Sequence, residues 1–401
     1  MAEDGWVIEG RRFAPTARPL VQGLQASRIR EVANAGYGQP DLARFWVGEG
    51  DQPTPAFIRE AAARALSEGR TFYTHNRGSA ELRGALGAYL ERLHGQAFEP
   101  DRLSIATAGV NALMLIGQAL LDPGDKVVAV TPVWPNLTQG PQILGAQVVR
   151  VGLEQAQGRW RLDLDRLISA ITPGTRMVLL NSPNNPTGWA LDPDQRAPLL
   201  EHCRRLGVWL VSDDVYERLT FDRPAAASFL TLADPQDRLI SVNSFSKAWR
   251  MTGWRLGWMI APAELEPELG KLLEYNTSCP PDFIQAAAIT ALEEGEPFIA
   301  EVRADLAARR ARLLEGLAQL PGIEATAPDG GMYVLLRVEG EGDSLALAKR
   351  LIGEARLGLA PGVAFGPEGE GWVRWCFAVS EVALNDGLDR LAAWVARRRT
   401  V

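Results

Sequence analysis

The chain has 401 residues, 46% of them apolar and 23% charged, with a formal net charge of -7 and an isoelectric point near 5.3. That length accommodates two or three domains with substantial cores, and the acidic balance argues against a nucleic-acid binder, which would carry a basic stripe. The N-terminus MAEDGWVIEG has acids where a secretory signal has bases, and the longest apolar stretch, Val110 to Leu121, is too short to span a bilayer. A cytoplasmic protein is expected.

Cys203, Cys279 and Cys376 are scattered without a C-x-x-C spacing, and His75, His94 and His202 stand equally alone, so neither a disulfide framework nor a metal site is expected. The basic tail ARRRT, 396–400, reads as a solvated helix end whose carbonyl dipole favours cations.

Residues 1–45, with Pro15, Pro19 and Pro40, are expected to form an arm and a strand that join a smaller domain. A larger domain follows over 46–280. Its apolar runs lie at 103–107, 126–131, 147–151, 176–181, 208–213, 238–244 and 257–261. Most are continuous rather than alternating, which is how a strand buried on both faces reads. Helical patterns over 79–94, 110–121, 164–171 and 194–206 separate them, with Ser79 as a capping residue. That alternation predicts an α/β domain with a mostly parallel seven-stranded sheet. From residue 281 to 401 the texture changes: a long helix over 282–320 interrupted near EGEP, strands at 331–338 and 372–379, helices over 344–355 and from Val382. These predict a smaller α+β domain, with a cleft between the two.

In a parallel sheet, ligands gather beyond the carboxyl ends of the strands. Five such ends here are followed by polar or aromatic residues. AGVN after the first run opens a helix whose free N–H groups suit a phosphate. PVW places Trp134 to cover a ring, NSPNNPTG presents amides, and Asp213, Asp214 and Tyr216 follow the run ending at 212. The last stretch, SFSKAWRMTGWRLGW from 244 to 258, carries Ser244, Ser246, Lys247 and Arg255. Any one cluster reads as an ordinary turn; together they predict a site.

VGEGDQPTP (47–55), YTHNRGSAELR (73–83), DPGDKV (122–127), NNPTG (184–188), SDDVY (212–216), SFSKAWRMTGWRLGW and VRWCFA (373–378) occur in an order and spacing that resembles the class I and II aminotransferases, enzymes of fold type I that use pyridoxal 5'-phosphate (PLP). The similarity runs over residues 28 to 398. It implies that Lys247 is the Schiff-base lysine and proton shuttle, that Asp213 pairs with the pyridine nitrogen, and that Tyr216 and Asn185 hold the ring oxygen beneath Trp134. It implies a phosphate held by Ser244, Arg255, Gly109, Val110, Asn111 and, less directly, Ser246. Tyr73 would reach the phosphate of a neighbouring subunit in a homodimer. Arg374, with Gly48 and Asn185, would hold the substrate carboxylate. Arg18 and Arg28, or Trp46 and Trp134, stand as candidates for the substrate's side chain.

Asp214 stands where members of the family usually carry Glu, and PVWPN replaces a commoner Pro-aromatic-Trp run; both bear on subfamily. The expected reaction moves an amino group from an L-amino acid to a 2-oxo acid, 2-oxoglutarate by family habit, in a ping-pong mechanism. The alternative is a PLP-dependent carbon-sulfur β-lyase using the same lysine. A regulator with an aminotransferase-like domain would need a helix-turn-helix in the first 45 residues, which do not read as one. A nicotinamide dehydrogenase would need a G-x-G-x-x-G that is missing.

Overall fold

A computed structural model describes residues 7–8, 11–12 and 16–399. Most of the acidic N-terminus, Pro15, the side chain of Arg399 and Thr400 lie outside the described residues. Arg397 and Arg398 are docked: Arg397 donates to Glu354 O, and Arg398 pairs with Glu341 and covers Trp394.

In chain order the main elements are helix α1 (Arg28–Ala35), α2 (Ala56–Ser67), α3 (Ala80–His94), strand β1 (Leu103–Ala106) and α4 (Gly109–Leu120). Next come β2 (Lys126–Thr131), α5 (Asn136–Ile143), β3 (Gln147–Gly152), α6 (Leu164–Ala170), β4 (Thr175–Asn181), α7 (Pro193–Leu206), β5 (Trp209–Asp213), β6 (Leu239–Ser244) and β7 (Gly257–Ile260). The remainder holds α8 (Glu266–Thr277), α9 (Asp282–Glu294), α10 (Glu296–Ala318), β8 (Ile323–Ala325), β9 (Tyr333–Val338), α11 (Ser344–Ala355), β10 (Ala360–Pro361), β11 (Val373–Cys376) and α12 (Glu381–Arg399). The capping residues act as the sequence implies. Ser79 Oγ accepts from Leu82 N, and Asp192 accepts from Asp194 N at the start of α7.

The large sheet has seven strands in the order β1-β7-β6-β5-β4-β2-β3. All neighbours are parallel except β7, which runs antiparallel to β6 and β1. The continuous apolar runs have a direct explanation. Val128, Val130, Val178, Leu180 and Leu210 pack in one buried cluster, while the alternating residues Val127, Ala129, Met177, Leu179 and Val211 pack in another. Successive side chains point to opposite faces, so a sheet covered on both sides needs apolar residues at every position.

A second sheet, antiparallel in the order β8-β9-β11-β10, has its own cluster with α10, α11 and α12. Helix α1 joins this cluster through Val32, and Ala43–Arg44 pairs with Leu357–Gly358. Helix α9, grouped above with the C-terminal segment, instead lays Ala287, Ala288, Ala291 and Leu292 into the cluster beneath the large sheet, beside α2 and α3. The chain passes from one cluster to the other along α10, which buries Ile299 in the first and Leu306, Leu313 and Leu317 in the second. Gly295 marks the break between α9 and α10, where a Cβ would stand 2.2 Å from Ala291 O. Helices α2, α5 and α8 are additions to the elements expected from sequence.

Candidate active site

The carboxyl ends of the large sheet and the face of the small one enclose a cleft of about 1120 Å³. Its floor begins at the end of β5. Asp213 is buried, its Oδ1 accepting from Val215 N at 3.3 Å. Burial raises its pKa to about 7; Asp214 pushes the same way, while the Val215 N–H and Lys247 oppose. Asp214 is not a solvated acid. It points away from the cleft, where the hydroxyls of Ser212 and Ser241 both donate to its carboxylate at 2.5 Å. Burial lifts its pKa to about 6 against those two bonds.

From the end of β6 the chain turns through Ser244 and Ser246, whose hydroxyls are 2.8 Å apart, to Lys247. Lys247 Nζ donates to Gly48 O and lies 5.9 Å from the centre of the Tyr216 ring. Burial lowers its pKa to about 8; Arg374 and Arg255 add to the fall, and Cys376 and Glu49 oppose it. The amine is therefore far closer to neutrality than an exposed lysine at physiological pH.

Arg255 leaves a short turn with φ of 55° and donates to Thr252 O at 2.6 Å, its side chain lining the cleft. The chain then re-enters the sheet at Gly257, where a Cβ would stand 2.6 Å from Gly109 N and 2.7 Å from Asn243 O. Only glycine permits that approach, which brings the lysine loop against the start of α4. Gly109 and Val110 line the cleft there, following Ala108 at φ of 89°. The first N–H groups of a helix have no carbonyl within it to bond. Asn111 does not join them: its backbone N–H donates to Ala108 O at 3.1 Å, its side-chain amide donates to Asn276 at 2.8 Å, its Oδ1 accepts from Thr107, and it lines no part of the cleft. Tyr73 is also apart, 91% exposed on the outer surface.

The opposite wall belongs to the small sheet. Arg374, in the middle of β11, is buried and donates through Nη1 to Asn185 Oδ1 at 2.8 Å and through Nη2 to Trp46 O. Its guanidinium lies between the rings of Tyr333 and Phe365, 4.3 and 4.8 Å from their centres. Its Nε has no partner among the described residues. Trp134 lines the cleft half-buried, its backbone N donating to Asn185 O at 2.8 Å. Arg28 lines the mouth but is paired with Glu31 at 2.7 Å, and Arg18 donates to Ile143 O at 2.7 Å. Trp46 lines the cleft while largely buried.

Sequence reasoning missed Tyr333. It opens β9, is fully buried, and sets its hydroxyl 2.7 Å from that of Tyr216. A Cβ on Gly48 would stand 2.3 Å from the same hydroxyl, so the glycine leaves room for the phenol. The only sequence signal was a polar-tipped aromatic inside the otherwise apolar strand GMYVLL.

The family profile of aminotransferase class I and II matches residues 41–391. The chain is 32% identical over 386 residues, 96% of this chain and 97% of the other, to an aspartate aminotransferase of Pyrococcus horikoshii. It is 35% identical to an arginine-pyruvate transaminase of Pseudomonas aeruginosa, covering 92% of this chain and 93% of that one. Among solved structures, a Thermus thermophilus aspartate aminotransferase mutant superposes with a TM-score of 0.89 at 33% identity, over 95% of this chain and 100% of that one.

The residues present suit PLP. Asp213 is a buried carboxylate whose one hydrogen bond among the described residues comes from a backbone N–H, so a protonated pyridine nitrogen would supply an opposite charge. Lys247 offers a near-neutral amine, and the Gly257 approach leaves backbone N–H groups, Ser244 and Arg255 around one end of the cleft.

Proposed function

The chain belongs to the class I and II aminotransferases and is a PLP-dependent enzyme of fold type I, and on that premise we propose the role of each residue in the cleft. One observation carries the proposal: Lys247 and Asp213 on the large sheet and Arg374 on the small one face the same cleft.

When bound, PLP supplies an aldehyde carbon that exchanges nitrogen and an electron-withdrawing ring that accepts negative charge from the substrate Cα. Lys247 would hold the cofactor and would take the proton from the substrate Cα, a task suited to an amine whose pKa is lowered to about 8. Asp213 would hold a proton on the ring nitrogen. Tyr216 and Asn185 bond the ring oxygen, and Trp134 covers one face. Arg255, Ser244, Ser246 and the N–H groups of Gly109 and Val110 hold the phosphate. Arg374, oriented by Asn185 and flanked by Tyr333 and Phe365, takes the substrate carboxylate beside Gly48.

The acceptor is a 2-oxo acid, with 2-oxoglutarate as the compound the family resemblance implies. A cofactor-binding domain surrounds the seven-stranded sheet, and a smaller one, with residues 16–45, surrounds the four-stranded sheet. The enzyme acts as a homodimer. The outer surface exposes Phe72, Tyr73 and Tyr275 by 82%, 91% and 88%, as a face that meets a second copy would. Among the described residues no helix is long and apolar enough to cross a membrane. The three free thiols suit a reducing compartment, and we place the enzyme in the cytoplasm.

The test is a half-reaction screen in which each amino acid is mixed with cofactor-loaded protein without an oxo acid. Release of one equivalent of the matching 2-oxo acid per subunit supports transamination and identifies the donor. Continuous release of pyruvate and ammonia from a cysteine conjugate, with no stoichiometric limit, would assign the β-lyase instead.

A further inference from the structure

We propose that Tyr333 is a positioning residue that couples the phenol of Tyr216 to the guanidinium of Arg374, so that the hold on the cofactor's ring oxygen and the hold on the substrate carboxylate are set together. The inference rests on the reading of Tyr216 and Arg374 given above.

Two contacts carry it. The hydroxyls of Tyr333 and Tyr216 are 2.7 Å apart, with rings 5.6 Å apart and nearly perpendicular at 78°. Arg374 lies over the Tyr333 ring at 4.3 Å. Strand β9 pairs with β11, with Tyr333 opposite Cys376 and Leu335 opposite Arg374, so the phenol and the guanidinium are held by the register of these two strands. Gly48 closes the space beyond its hydroxyl, which among the described residues has no hydrogen-bond partner besides Tyr216.

Burial pushes both phenols above their ordinary range, so each keeps its proton. Two neutral hydroxyls at this distance share one hydrogen bond, and one proton is left over. Either hydroxyl can donate, and the Arg374 cation, which lowers the proton affinity of both phenols, lies directly over the Tyr333 ring and favours Tyr333 as the donor of the pair. Tyr216 then accepts from Tyr333, and its own hydrogen is free to point at the ring oxygen. Without the Tyr333 hydroxyl, Tyr216 loses the bond that fixes this orientation.

The test is the pH titration of the near-visible absorbance band of the PLP-loaded protein. Weaker donation from Tyr216 leaves more negative charge on the ring oxygen, so the band's midpoint should rise by about half a pH unit or more in Tyr333→Phe, the size of one neutral hydrogen bond. In a Tyr216→Phe background the same change should move the midpoint far less. Gly48→Ala, whose methyl would press on the Tyr333 hydroxyl, should move it in the same direction without removing that oxygen. Midpoints unmoved in both Tyr333→Phe and Gly48→Ala overturn the coupling. So does a Tyr333→Phe shift that persists in full without the Tyr216 hydroxyl. A native protein that shows no such band would instead remove the functional reading on which the coupling rests.

Discussion

The two walls of the cleft are built differently. On the large sheet, Asp213 and Ser244 are the last paired residues of β5 and β6 and Lys247 lies in the turn beyond, so the chain leaves the sheet beside all three. On the small sheet, Arg374 and Tyr333 lie within paired strands, with side chains fixed by the register of β9 against β11. Loop-borne groups can follow a cofactor whose bonds change during the reaction. Strand-borne groups suit an unreacting carboxylate that must be held in one place. The difference predicts that changes on the first wall damage the cofactor and the chemistry, whereas changes on the second damage donor binding.

The largest effect belongs to Lys247→Ala, which should lower turnover by more than about a thousandfold while the protein stays folded. Turnover at a tenth of the native rate would remove Lys247 from the chemistry. Asp213→Ala should follow, with cofactor binding weaker by about a hundredfold and transamination nearly lost, because the ring nitrogen loses its buried counter-charge. A native absorbance spectrum with native kcat would overturn its assignment.

Arg374→Lys tests the other wall. Loss of the planar fork should raise the donor KM about 10- to 100-fold while the cofactor's absorbance band stays unchanged. A variant that instead releases its cofactor would erase the division between the walls.

The smallest effect is on stability without cofactor. Burial raises Asp213 from an ordinary 3.8 to about 7, so the folded protein binds that proton more tightly than the unfolded chain does. Stability therefore falls as pH rises from 3.8 to about 7. Lys247 is lowered from 10.5 to about 8, so the unfolded chain binds its proton more tightly, and stability rises as pH rises from about 8 to 10.5. Both penalties are fully present only between pH 7 and 8. Against Asp213→Asn, the native cofactor-free protein should lose Tm steadily between pH 4 and 7; a constant difference over that range would contradict the buried-carboxylate account.

The same contrast decides what the sequence made legible. Most strands of the large sheet stand out because they are apolar runs buried on two faces, while the edge strand β3 leaves Gln147 and Val149 exposed. The loop-borne groups stand out because polar residues collect after them. Asp213 and Asp214 read alike in the sequence, yet neighbours along an extended chain point to opposite sides: Asp213 faces the cleft, and Asp214 falls between Ser212 and Ser241. Asn111 lies one residue too far along α4, rotated toward Asn276. Tyr333 left almost no trace, since its function depends on which strand lies opposite, and pairing between distant segments is not written locally. The place of α9 was hidden for the same reason, its alanine-rich face fitting α2 and α3 far upstream.

The central claim is that Lys247 carries the cofactor. Four lysines are present, Lys126, Lys247, Lys271 and Lys349. Three are occupied elsewhere: Lys126 donates to Ala170 O, Lys271 pairs with Glu268, and Lys349 pairs with Glu31. Borohydride reduction of the PLP-loaded protein, followed by peptide mass mapping, should place one pyridoxyl-phosphate group per subunit on the peptide containing Lys247. A group on any of the other three lysines, or none on the protein at all, would contradict the account.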